Sequence, residues 1–72
     1  MRDRLEQLIG EMVEKGIRFD DAQREFQKHF IARVVSNCEG NLGKAATTLG
    51  VHRNTLTRKI QELKIRTRAS HG

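Results

Sequence analysis

Residues 40–63 read GNLGKAATTLGVHRNTLTRKIQEL, and this stretch decides the fold. Asn41 is a good N-cap, with Gly40 before it as a turn residue. A short helix is predicted over Leu42 to Leu49, with Ala45 and Ala46 small where two helices must cross. Gly50 ends it, because glycine takes positive φ without strain, and Val51 plugs the corner. A second helix is predicted from Arg53 to Lys64. At 100° per residue Leu56, Ile60 and Leu63 cluster on one side. Asn54, Arg58 and Gln61 point the opposite way, with Thr55 and Thr57 flanking. The pattern is a helix-turn-helix, a motif whose second helix lies in the DNA major groove and whose N-terminal end, here His52 and Arg53, enters that groove.

The charge follows the same boundary. Residues 1–37 hold seven Lys/Arg and seven Asp/Glu, whereas residues 38–72 hold seven Lys/Arg against Glu39 and Glu62. The whole formal charge of +5 therefore sits in the second half, as expected of a surface that meets a polyanion. A protonated His52 imidazole beside a phosphate would add a charge-assisted contact and make binding modestly pH-dependent, whereas a solvent-facing His52 would have no effect.

N-terminal to the motif, Leu5, Leu8, Ile9, Met12 and Val13 fall at i, i+3, i+4, i+7 and i+8, which predicts a helix from Arg2 to Lys15. Gly16 is its candidate left-handed cap. Gly10 inside this helix either marks a close helix–helix approach or is merely tolerated. A longer helix is predicted from Asp21 to Asn37, with Asp20 and Gln23 in a capping-box pattern. Its apolar face is Ala22, Phe26, Phe30, Ile31, Val34 and Val35. The two helices together offer eleven apolar positions, more than the small helices of the motif can cover. That surplus predicts a homodimer through Leu8, Ile9, Met12, Phe26, Phe30 and Val34.

Size agrees. A chain of 72 residues buries only about 60% of its unfolded surface and is marginal alone. Cys38 is the single cysteine, so no internal disulfide can help, and a reducing cytoplasm fits. It reads as a small hydrophobe near a helix end. His29, His52 and His71 share no metal-ligand spacing with it, and neither a metal nor a cofactor is expected. The chain has no Tyr or Trp, hence no base-stacking platform of the kind single strands require. No apolar run approaches the ~18 residues of a membrane span. No nucleophile–base pair, paired carboxylates or phosphate loop suggests an enzyme. A basic amphipathic helix over 53–64 also fits an acidic lipid or protein surface; lipid binding without duplex affinity would mark that reading.

These residues resemble the Fis-type helix-turn-helix family, whose unit occurs in bacterial nucleoid proteins and at the end of NtrC-type enhancer-binding activators. Gly40, Asn41, Ala45, Ala46, Gly50, Val51, Arg53, Thr55, Leu56, Lys59 and Ile60 match its pattern. Residues 19–41 are similar to the long second dimer helix, and the resemblance covers 19–65, more loosely the first helix. It implies an all-α, four-helix domain spanning 1–72. Residues 1–37 would form the dimerisation helices and 40–65 the helix-turn-helix; the tail 66–72, which has little apolar content and carries Arg66 and Arg68, is by itself expected to be mobile and basic. The resemblance further implies a homodimer in the bacterial nucleoid, whose two recognition helices enter successive major grooves of bent duplex DNA to regulate transcription. Arg53 would reach base edges, while Asn41, Thr55, Arg58 and Lys59 hold phosphate. Lys44, His52, Asn54 and Thr57 complete the expected DNA-binding set. His52, Gly43 and Thr57 depart from the pattern, which bears on sequence preference rather than docking mode. The likeness is greatest to small standalone regulators. The alternative is the C-terminal DNA-targeting and dimerisation module of an NtrC-type activator.

Overall fold

A computed structural model describes residues 2–66. It contains four helices, α1 (Arg2–Glu14), α2 (Phe19–Asn37), α3 (Leu42–Leu49) and α4 (Arg53–Leu63), and no strand among the described residues. The all-α expectation holds. The expected tail lies outside the described residues, Arg66 excepted.

Each helix stops in the same way. Beyond α1, the Gly16 and Ile17 N–H groups donate to the Val13 and Met12 carbonyls at 3.0 and 3.1 Å. The equivalent pairs are Glu39 and Gly40 onto Ser36 and Val35, Gly50 and Val51 onto Thr47 and Ala46, and Lys64 and Ile65 onto Gln61 and Ile60. These are Schellman closures, which satisfy the last carbonyls through one left-handed residue. Glycine fills that position at Gly16 and Gly50, but Glu39 (φ 54°) and Lys64 (φ 55°) fill it elsewhere. The α4 closure ends that helix one residue before the expected Lys64.

The start of α2 corrects the capping-box expectation. The helix begins at Phe19, with extended Arg18 (φ −75°, ψ 156°) in the cap position and no side-chain cap. The closure of α1 at Gly16 and Ile17 leaves only Arg18 to redirect the chain. The Ala22 N–H then donates to the Arg18 carbonyl at 2.8 Å, which places Asp20 and Asp21 inside the first turn, where the helix dipole favours acids. Asp20 still serves that turn, its Oδ1 accepting from the Asp21 N–H at 3.0 Å.

The core lies entirely at the C-terminal end of the molecule. Ile31 and Val35 of α2, Cys38, Ala45 and Ala46 of α3, Leu56 of α4 and Ile65 are buried, with Val34, Leu42, Leu49, Ile60 and Leu63 packed against them. Ala45 is wholly buried, which is why two helices can cross there. Helix α1 buries no residue. Leu5, Leu8, Ile9, Val13 and Ile17 are exposed, as are Phe19, Phe26 and Phe30 of α2. They line one open apolar trough of about 1290 Å³. The radius of gyration, 13.7 Å, exceeds the roughly 11 Å of a compact domain of this length, because α1 stands clear of the core. Gly10 has nothing within 4 Å of where its Cβ would be, so no approach inside the chain requires it.

Candidate nucleic-acid interface

Helices α3 and α4 meet around the left-handed Gly50 (φ 76°), and the two helix starts are capped by different chemistry. At α3, Asn41 Oδ1 accepts from the Lys44 N–H at 3.0 Å. At α4, the His52 imidazole does the equivalent work, its Nδ1 accepting from the Asn54 N–H at 3.0 Å. The Leu56 N–H then donates to the His52 carbonyl at 3.0 Å, the first turn of the helix ladder. Leu56 anchors α4 to the core at 1% exposure. That anchor fixes which side of α4 faces away.

Asn54 and Arg58 lie opposite Leu56 and are exposed, His52 and Arg53 are exposed at the start of α4, and Asn41 and Lys44 are exposed at the start of α3. Thr55 and Thr57 are half-buried flanks, as their 100° positions require. The first turn of α4 holds no acid. This face therefore presents hydrogen-bond donors and positive charge at a helix N-terminus, where backbone N–H groups and the helix dipole also favour an anion.

Lys59 behaves differently from its outward neighbours. It is half-buried, and its ammonium donates to Gln27 Oε1 of α2 at 3.4 Å. Lys59 follows Leu56 by three residues and precedes Ile60, so it borders the apolar arc, and its stem lies along α2 as long cationic side chains commonly do. Sequence reasoning missed Gln27, for which no local signal existed. It also missed Ile65, whose signal was present: an apolar residue five after Ile60 is the hydrophobic pair that accompanies a Schellman closure. Of the residues expected at a dimer contact, Leu8, Ile9, Phe26 and Phe30 are exposed, and Met12 is half-buried on the same trough. Val34 is instead half-buried against the core. Phe26 and Phe30, one turn apart, stack with ring centroids 5.3 Å apart and a 37° tilt, a favourable aromatic geometry.

Two helices locked around a left-handed glycine, with a donor-rich face on the second, define a helix-turn-helix protein. Residues 22–63 match the family of bacterial regulatory proteins of the Fis type. The chain belongs to that family. Two curated relatives, both named as Fis-like DNA-binding proteins, come from Xylella fastidiosa. The Temecula1 protein is 44% identical over 39 residues, covering 54% of this chain and 43% of its own length. The protein of strain 9a5c is 42% identical over 38 residues, covering 53% and 42%. The match thus spans less than half of either relative. No solved structure matches the chain. No helix among the described residues is long and apolar enough to cross a membrane.

Proposed function

We propose that the chain binds duplex DNA as a homodimer, with α4 of each copy in a major groove, and acts as a bacterial transcription regulator that bends its site. The observation that carries this is the exposed surface of α4: His52 and Arg53 exposed at its start, Asn54 and Arg58 exposed opposite the buried Leu56, no acid in the first turn, and all the net charge in the same half of the chain. The matching relatives are themselves named for DNA binding. The dimer is supported by the apolar trough of α1 and α2, where Leu8, Ile9, Phe26 and Phe30 are exposed, as at a protein–protein contact.

Within this reading the side chains divide by role. Arg53 reaches base edges, where a guanidinium pairs with guanine O6 and N7. Lys44 and Arg58 meet phosphate, and Asn41 adds an uncharged contact. Lys59 reaches phosphate only by leaving Gln27.

The test is a salt titration of wild type and Arg53→Ala on a selected duplex and on a scrambled one. The substitution is expected to cost about 1–3 kcal/mol per half-site on the selected duplex and to relax preference at one symmetric base position. An unchanged ratio of the two affinities would show that Arg53 reads no base, and that DNA shape carries the selectivity.

A further inference from the structure

We propose that His52 is a positioning residue for the recognition helix, acting through its neutral imidazole, so that DNA affinity falls as the solution is acidified. The inference rests on the DNA-binding reading above. Its basis is one specific contact: His52 Nδ1 accepts the Asn54 N–H at 3.0 Å.

The N–H groups of the first helical turn have no partner within the helix. At α4 no acid supplies one, and the His52 ring is the side chain that does. An imidazole can accept at Nδ1 only when neutral, with its proton on Nε2; the imidazolium has donors at both nitrogens. Protonation therefore sets two N–H groups against each other. It also adds a cation at the positive end of the helix dipole. The backbone released is that of Arg53 and Asn54, which present side chains on the outward face.

The carboxylates on the elements packed around the turn are Asp20, Asp21 and Glu25 of α2 and Glu62 of α4, and α3 has none. The ion pair found on these elements joins Glu25 to His29, and no carboxylate among the described residues pairs with the His52 ring. The other charged groups there are cations: Arg24, Lys28 and Arg33 of α2, Lys44 of α3, and Arg53, Arg58 and Lys59 of α4. At α3 the same task falls to Asn41, whose amide does not titrate. One cap of the motif is thus fixed, and the other is lost when the imidazole takes a proton.

This reverses the sign expected from sequence, where an imidazolium beside a phosphate strengthens binding. Magnitudes decide. A side-chain cap is worth about five-fold in an equilibrium. An exposed imidazolium ion pair is worth about one- to five-fold, against about five-fold for the cap it gives up.

The experiment measures duplex affinity of the full chain from pH 8 to pH 5.5 at fixed physiological salt for wild type, His52→Asn and His52→Ala. NMR of the free protein follows the Asn54 amide over the same range. Wild type is expected to lose affinity on acidification, by up to about five-fold per recognition helix where the uncapped turn must re-form on binding, with the Asn54 amide shifting over the same range. His52→Asn, which keeps a cap that does not titrate, restores high affinity at both ends. His52→Ala is weak throughout. Wild-type affinity that is flat or rises on acidification overturns the proposal, as does a His52→Asn profile that matches wild type. If none of the three proteins binds duplex DNA at any pH, the DNA-binding reading fails. The Asn54 amide then decides the cap by itself, and an amide indifferent to His52 titration refutes it.

Discussion

Phe30→Ala probes the apolar trough of α1 and α2. Phe30 is 50% exposed in the single chain, and a phenylalanine offers about 200 Å² to bury. A partner that covers it removes about 100 Å² from water, worth about 2.5 kcal/mol at ~25 cal/mol per Å². A two-fold interface uses the residue twice, so truncation weakens the dimer by roughly 4–5 kcal/mol. At 1.4 kcal/mol per tenfold, the dimer Kd rises by about three decades. Sedimentation equilibrium across a concentration series reads that change directly. Phe30 is outside the core formed around Leu56 and Val35, so the loss falls on association rather than on the helix-turn-helix itself. A Kd within tenfold of wild type would refute the assignment of this face to a second copy. A wild-type chain that sediments as a folded monomer at micromolar concentration would do the same.

Two further substitutions test the local accounts. Glu39 holds a left-handed conformation at φ 54°, which costs a residue with a Cβ about 1–2 kcal/mol; Glu39→Gly returns part of that to glycine's greater unfolded-state freedom and is expected to stabilise by about 0.5–1 kcal/mol, read as a rise in thermal midpoint. Asn41→Ala removes the oxygen that caps α3 at 3.0 Å and is expected to destabilise by about 1 kcal/mol. In DNA titrations it should lower affinity with little change in salt slope, because no charge is lost.

The helix-turn-helix was legible because its signals are local. Asn41, Gly50 and the Leu56–Ile60–Leu63 arc each specify a backbone feature within a few residues, and α3 runs over the predicted Leu42 to Leu49. The start of α2 was not legible. Asp20 and Gln23 satisfy a capping pattern, yet the closure of α1 after Glu14 fixed the entry geometry and moved the helix start to Phe19. Long-range pairing was equally hidden, since Lys59 looks like any other cation of the basic half until its distance to Gln27 is known. His52 lay between these cases. Its place at the start of the second helix was visible, but which ring nitrogen is engaged follows only from geometry. The apolar excess of the first two helices was visible in sequence, and the structure leaves it exposed at Leu8, Ile9, Phe26 and Phe30.

The central claim is that two copies of the chain act together on one duplex through their α4 helices. Sedimentation velocity of the protein with a labelled duplex carrying a selected site, at a salt concentration near physiological, tests it most directly. The account predicts a single complex of two chains per duplex, lost when Arg53 and Arg58 are both replaced by alanine. One chain per duplex, or a complex that survives that double replacement unchanged, would contradict it.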